Sequence, residues 1–414
     1  MARVLAYTSP PAGHVYPIVP TLLELAARGH RVIVRTAAAR VPELRAAGLD
    51  AAPVDPAIEA VPVEDWRGRD PLDAVGRLIR VFEARAPFEV TDVGALVASA
   101  RPDLLVVDVN CLGAMIAAEA SGLPWVVSCP HPAALRAPGE PPFGPGRAAA
   151  RWPAAKVRRA ADSAWNSGLD GLNQLRADAG LAPARHLHEL QYLRARRVLC
   201  FTAEPFEQMR PEWPATFRLV GPSLWEPPSQ ETVALEDGSR PLVLVTASTA
   251  YQADERLIAV ALAALAGEPG PVIATTGAHD PASFEVPPNA RVERFAAHGP
   301  LLRRCACVVT HGGMGITQKA LAAGVPVCVV PFGRDQSEVA LRVERSGAGV
   351  ALDRRRLTPE ALRIAVRAAR ACAPGARAVA AAFARAGGPS AAAEAAEELL
   401  PPAAVRRDVA TQRW

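Results

Sequence analysis

The feature that most constrains this chain is an alternation of short apolar runs with longer amphipathic stretches, and it runs twice. In the first round Val4–Tyr7, Val32–Arg35, Leu104–Val109 and Trp125–Ser128 read as buried strands. Helices are expected between them at Ile18–Ala27, Pro42–Ala47, Pro71–Ala86 and Gly113–Ser121. The second round has strands at Leu242–Thr246, Pro271–Thr275, Val292–Phe295, Cys307–Thr310 and Val325–Val330. Its helices are expected at Asp254–Ala266, Gly315–Ala323, Asp335–Ser346 and Pro359–Cys372. Strand-then-helix repetition implies α/β architecture, with parallel sheets covered on both faces.

A chain of 414 residues exceeds the usual single domain, so two units of roughly 200 residues are expected. The polar, proline-rich stretch Gly221–Arg240 divides the two rounds as a linker would. Residues 1–220 then form an N-terminal domain and 241–395 a C-terminal one. Residues 396–414 form a tail that is frayed or docks back on the N-terminal domain. Pro130–Gly146 is too rich in Pro and Gly for a helix or central strand and reads as a long surface loop. Two open sheets leave a cleft, and ligands of such sheets bind outside the carboxyl ends of the strands.

Composition excludes several classes. The formal net charge is only +4, and no Lys/Arg block accompanies aromatic residues, which argues against a nucleic-acid face. The seven cysteines are odd in number and contain no C-x-x-C pair, which fits a reducing compartment and gives no metal-ligand spacing. The opening MARVLAYTSPP lacks the apolar core of a signal peptide, and no apolar run reaches membrane-spanning length. A cytoplasmic protein with no membrane partner is expected.

Chemistry concentrates in two places. At residues 308–336 a strand ends at Thr310, His311-Gly312-Gly313 makes a tight turn, and a helix starts near Gly315. Glycines admit close backbone approach, and a helix start offers unpaired N–H groups and partial positive charge to phosphate oxygens. His311 and Thr317 could add side-chain donors. The glycines alone equally allow a plain strand-to-helix turn with a structural histidine. The second place is His14, in a Gly-rich turn after the first strand. An imidazole suits general-base work near neutral pH, although in such a turn a histidine is more often a structural cap. Asp108, ending Leu104–Val107 on the same sheet edge, could orient it. The first turn, Thr8–His14, lacks G-x-G-x-x-G, which argues against a dinucleotide-binding dehydrogenase.

Residues 308–336, VVTHGGMGITQKALAAGVPVCVVPFGRDQ, resemble the signature region of the GT-B nucleotide-sugar glycosyltransferases of family 1, which include plant secondary-metabolite and actinobacterial antibiotic enzymes. The shared features are H-G-G, a Thr followed by A-L-x-x-G-V-P, then P and D-Q; Gly13-His14-Val15-Tyr16-Pro17 is similar to the family's G-H-x-x-P opening. The resemblance implies a GT-B fold of two Rossmann-like domains facing across a cleft, the first binding the acceptor and the second the nucleotide sugar. It implies His14 as base with Asp108 as its dyad partner. His311, Gly312, Gly313, Gly315, Thr317, Ser248 and Thr249 would hold the diphosphate, and Asp335 and Gln336 the sugar hydroxyls. Phe295, Ala296 and His298 would hold the base and ribose. The family often has a ribose-binding Glu where this chain has Lys319, and an ammonium cannot accept those hydrogen bonds.

The expected activity is inverting transfer of a hexose from a nucleoside diphosphate to a hydroxyl of a hydrophobic small molecule. UDP-glucose is favoured over a TDP-deoxysugar because Asp335 and Gln336 suit a fully hydroxylated sugar. Neither cofactor nor metal is expected, and the chain would act as a monomer or homodimer. The acceptor would lie near Trp66, Phe82, Phe88, His131 and Phe143. A nucleotide-sugar 2-epimerase, which needs carboxylates near the sugar, and a non-catalytic accessory protein are the alternatives.

Overall fold

The computed structural model describes residues 1–135, 143, 153–228 and 241–400. In its first half β1 (Arg3–Tyr7), β2 (Arg31–Thr36), β3 (Asp50–Pro53), β4 (Leu104–Asp108), β5 (Trp125–Cys129), β6 (Arg197–Cys200) and β7 (Phe217–Leu219) form one sheet. All pairings are parallel, in the order β3-β2-β1-β4-β5-β6-β7. Every residue of β4 and β5 is buried, as expected of strands covered on both faces. The sequence pattern misses β3, β6 and β7. β3 (DAAP) carries no bulky apolar residue, β7 has only three residues, and both are edge strands.

The helix Pro71–Ala100 begins where Asp70 accepts from the Leu72 and Asp73 amides. It runs through Pro87 rather than stopping at Ala86 as the sequence suggests. A proline inside a helix costs about 3 kcal/mol. Beyond it Val93 and Leu96 are buried, each worth about 1.5–3 kcal/mol, so burial carries the helix on. Where this helix crosses Leu112–Ala120, Gly113 is required, because a Cβ there would run into the Ala86 carbonyl. The close approach lets Glu89 accept from the Gly113 amide at 2.9 Å; burial pushes the Glu89 carboxyl up to about 8.

The second sheet contains β8 (Leu242–Thr246), β9 (Val272–Thr275), β10 (Ala290–Glu293), β11 (Cys305–Thr310), β12 (Val327–Val329) and β13 (Gly349–Ala351). It is also wholly parallel, ordered β10-β9-β8-β11-β12-β13. β10 ends at Glu293, so Phe295 lies past the strand in which the sequence placed it.

The lobes exchange segments. Ala203 and Phe206, after β6, belong to the second lobe's core, where Phe206 meets Phe383 at 6.1 Å. In return the helix Gly388–Glu397 puts Ala392, Ala393 and Ala396 into the core around Val4, Leu22 and Leu25 of the first lobe. Arg28 fixes it through Glu397 at 2.7 Å and Ser390 Oγ at 2.7 Å. The chain therefore recrosses at Gly387–Gly388, both at positive φ, ahead of the boundary expected at residue 396. Residues 401–414 of the expected tail, 229–240 of the linker and most of the Pro130–Gly146 loop lie outside the described residues.

Candidate active site

β1 and β4 are neighbours, so the residues following them emerge side by side at the carboxyl edge of the first sheet. His14 lies in the short helix Ala12–Val15 after β1, and Asp108 is the last residue of β4. His14 Nδ1 is 2.9 Å from Asp108 Oδ2 and 3.1 Å from Oδ1. A carboxylate only accepts, so Nδ1 donates and Nε2 keeps its lone pair. The Asp108 side chain is fully buried, whereas 17% of the His14 side chain is exposed. Burial lowers the His14 pKa, but the charge and hydrogen bond of Asp108, helped by Asp335, outweigh it and leave it raised.

Two further residues join this pair. Asn110 Nδ2 lies 3.1 Å from His14 Nε2, and the Asn110 amide N–H donates to Asp108 Oδ1 at 3.0 Å. Sequence reasoning missed Asn110; its only signal was an amide side chain two residues past Asp108 at a ligand-facing strand end. His131, after β5, stands with its ring 5.7 Å from that of His14, edge to face. Its Nδ1 donates to the Pro132 carbonyl at 3.0 Å, and burial lowers its pKa, with His14 adding to the effect.

The other residues expected around an acceptor are dispersed. Phe82 and Phe143 are buried in the first-lobe core, and Phe88 is exposed on its helix. Trp66 turns to the second lobe, meeting Tyr251 edge to face at 5.1 Å. Periodicity could not have revealed this, because facing depends on how the long helix sits on the sheet.

Across the cleft, β11 runs into His311 and the helix Met314–Ala322. Gly312 has φ of +99°, and a Cβ there would meet Val329 Cγ1 at 2.7 Å. Gly313 caps the helix with extended backbone, a Cβ there would meet His311 Nε2 at 2.7 Å, and a Cβ at Gly315 would meet nothing within 4 Å. No side chain hydrogen-bonds to the helix start as a cap, so its first N–H groups are not spent that way. His311 is nearly buried; burial lowers its pKa, so the ring is neutral. We expect Gly312→Ala to weaken nucleoside diphosphate binding at least tenfold, since strained φ and the Val329 clash both displace the turn. Isothermal titration with TDP and UDP measures this, and wild-type affinity would contradict it.

The remaining expected residues divide. Thr317 lies beneath the turn rather than at its mouth: it is fully buried and its hydroxyl donates to the Gly313 carbonyl at 2.9 Å. Its only proton is spent on holding the turn, so it does not serve as a phosphate donor in this geometry. Ser248 is buried and its Oγ accepts from Gln252 at 2.6 Å, while Thr249 beside it is exposed. Asp335 flanks the helix Gln336–Arg345 without spending its carboxylate on a cap. Gln336, in contrast, has both ends of its amide hydrogen-bonded within the protein. Its Oε1 accepts from the Phe332 and Gly333 amides at 2.7 and 3.0 Å, and its Nε2 donates to Gln252 Oε1 at 2.6 Å. Gln252, which the sequence reading overlooked, therefore ties Ser248 to Gln336.

Phe295 is an exposed aromatic, 56% accessible, with Ala296 half-buried beside it. His298 Nε2 meets Thr275 Oγ1 at 3.2 Å; burial, then the Lys319 charge, pushes its pKa down to about 4. Lys319 Nζ donates to Glu226 Oε1 at 2.8 Å. Glu226, from the interlobe segment, also accepts from the His298 and Gly299 amides at 3.3 Å each.

The two halves of the site share one crevice. Arg334 and Asp335 act electrostatically on both His14 and His311. Arg334 also clamps the lobes, forking onto Asp65 at 2.8 and 2.9 Å from left-handed backbone (φ +52°). Among the described residues no group of three or more His, Cys, Asp or Glu side chains is placed to hold a metal ion. No helix among them is long and apolar enough to cross a membrane.

Residues 259–399 match the family model described as erythromycin biosynthesis protein CIII-like, C-terminal domain. The chain is 34% identical over 391 residues to 4'-demethylrebeccamycin synthase of Lentzea aerocolonigenes, covering 89% of this chain and 91% of that protein. It is 26% identical to the NDP-glycosyltransferase YjiC of Bacillus subtilis (strain 168), over 87% of this chain and 86% of that one. This chain belongs to that glycosyltransferase family. The fold agrees: the crystal structure of glycosyltransferase VinC in complex with DTDP superposes with a TM-score of 0.68 at 24% identity, covering 96% of this chain and 100% of VinC. The two facing parallel sheets are thus the GT-B arrangement, and the glycosyltransferase's cleft holds the histidine–aspartate pair on one wall and the glycine turn on the other.

Proposed function

We propose that this glycosyltransferase moves a hexose from a nucleoside diphosphate onto a hydroxyl of a hydrophobic natural product, with inversion. The observation that carries the reading is the His14–Asp108 hydrogen bond facing the Gly312–Gly315 turn across the crevice. His14 Nε2 takes the proton of the acceptor hydroxyl as its oxygen attacks the anomeric carbon. The bond from that carbon to the diphosphate oxygen breaks on the opposite face. Asp108 holds the ring with Nδ1 as donor and stabilises the imidazolium that forms. The leaving diphosphate is met by the N–H groups at the start of Met314–Ala322 and by His311, donors fixed before charge develops. This assignment needs neither a metal nor another cofactor.

For the donor we propose a TDP-linked hexose rather than UDP-glucose. With the Gln336 amide engaged by Phe332, Gly333 and Gln252, Asp335 remains to bind hydroxyls, which suits a sugar with fewer of them. The DTDP complex of the structural relative VinC supports the same nucleotide. A natural-product acceptor is supported by the names of the matched family and of the Lentzea relative, which point to erythromycin biosynthesis and to 4'-demethylrebeccamycin. We propose that the acceptor enters beside His131 and that the protein acts in the cytoplasm.

The test is a panel of α-linked TDP- and UDP-hexoses incubated with hydroxyl-bearing aromatic acceptors. Released diphosphate reports turnover, and proton NMR of the product reports its anomeric configuration. Acceptor-dependent release with a β-linked product is expected, faster with TDP donors. An α-linked product from an α-linked donor would rule out the single displacement.

A further inference from the structure

We propose that Asn110 is a positioning residue for the transfer step: its side-chain amide occupies the acceptor-facing nitrogen of His14 and holds the ring in place until the acceptor hydroxyl takes that position. The inference rests on the reading of His14 as the base and adds to it a residue that neither the motifs nor the comparisons assign.

The geometry is a closed circuit of three residues. Asp108 accepts the hydrogen bond of His14 Nδ1–H at 2.9 Å, the Asn110 backbone N–H returns to Asp108 Oδ1 at 3.0 Å, and Asn110 Nδ2 reaches His14 Nε2 at 3.1 Å. Both ring nitrogens are therefore engaged. With Nδ1 donating, Nε2 can only accept, so the amide N–H of Asn110 sits where the proton of an incoming hydroxyl must arrive. The backbone bond to Asp108 fixes where Asn110 begins, and only its side-chain torsions need change to clear the way.

An amide suits this position because its NH₂ end matches the neutral ring that acts as the base. A neutral ring offers a lone pair, which the NH₂ end satisfies. The resting contact also stabilises the neutral ring against its surroundings. The charged and titratable groups facing His14 are Asp108 from β4, Asp335 and Arg334 from the loop before Gln336–Arg345, and His131 after β5. Asp108 and Asp335 favour the protonated ring, whereas Arg334 opposes it. Asn110 adds a neutral hydrogen bond to the opposing side.

Histidine-selective ¹⁵N labelling reads this directly, with the His14 resonances identified by their loss in His14→Ala. In the wild-type protein the neutral ring should carry its proton on Nδ1. In Asn110→Ala the His14 titration should move up by about half to one pH unit, the equivalent of one neutral hydrogen bond. In Asn110→Asp, where a second carboxylate faces the ring, it should move up by more than one unit. Asn110→Gln, one methylene longer, keeps the amide and should fall between wild type and alanine. Identical His14 titrations in all four proteins would overturn the proposal, and so would a wild-type ring protonated on Nε2. A separate arm addresses the underlying reading: if His14→Ala keeps full transfer activity, the base assignment fails whatever Asn110 does. If that variant is inactive and the titrations coincide, the role of Asn110 alone fails.

Discussion

Replacing His14 with alanine should lower turnover by about 10²–10⁴-fold, the span of a positioned general base, and leave TDP affinity within about twofold of wild type. The asymmetry follows from the architecture. His14 stands on the carboxyl edge of the first sheet, whereas the helix start and His311, the proposed diphosphate site, belong to the second. An alcohol is a weak nucleophile until its proton is taken, so losing Nε2 raises the barrier to transfer without touching the donor turn. Steady-state kinetics paired with calorimetric titration of TDP separates the two effects. Equal losses in both would mean that the variant disturbs the cleft as a whole.

The same pair sets a pH dependence. As the proposed base, His14 works only as the neutral ring, and the net influence of Asp108 and Asp335 over burial raises its pKa above the ordinary histidine value. Activity should therefore fall as pH drops through a value above about 6.5. Asp108→Asn removes the charge that raises it, so the acid limb should move to lower pH even as turnover falls for want of the right tautomer. A limb that stays in place, read from kcat against pH, would separate Asp108 from the titration of His14.

The largest loss of stability is expected at Arg342. Its guanidinium lies between Glu207 Oε2 at 2.7 Å, from the first lobe's segment after β6, and Glu338 Oε2 at 3.1 Å on its own helix. All three side chains are nearly buried, with 5%, 5% and 6% of their surface exposed. Arg342→Ala strands two carboxylates in the interior, a change that costs about 3–5 kcal/mol. Because the helix Gln336–Arg345 starts at the donor wall, the damage should also reach donor binding. Thermal unfolding of the variant should show a clear drop in the melting temperature. Replacing Arg342, Glu207 and Glu338 together by Met, Leu and Leu should recover most of the loss, since no charge is then left unpaired. If Arg342→Ala melts like wild type, the ion network contributes nothing to holding the lobes.

What the sequence made legible follows from local physics. The central strands, apolar on both faces, declared themselves as short unbroken runs, and so did the strand-to-helix turns at His14 and His311. The edge strand Asp50–Pro53 did not, because its stability comes from pairing with β2 rather than from its own apolar content. Pro87 read as a stop, yet the buried face of Val93 and Leu96 overrides it. At the site the tight turn read at Gly312 and Gly313 is present, with Gly312 at φ +99° and no room for a Cβ at either position. Side-chain logic carried less far. Thr317 is one turn along from the N–H groups at the helix start, but its hydroxyl closes on the Gly313 carbonyl. Gln336 is buried among Phe332, Gly333 and Gln252, a partner far away in sequence. Lys319, a departure from the family pattern, finds Glu226 from the interlobe segment, a pairing no local window contains. Contacts that bridge the lobes, such as Arg334 with Asp65, are invisible to periodicity for the same reason.

The most direct measurement is a crystal structure of His14→Ala with an intact TDP-hexose, in which the removed base leaves the donor uncleaved. The pyrophosphate should lie against the amides of residues 313–315 beside His311, with the sugar next to Asp335 and its anomeric carbon facing the vacated imidazole position and Asp108. A donor bound with its diphosphate away from that turn, or with its anomeric carbon facing away from Asp108, would contradict the account.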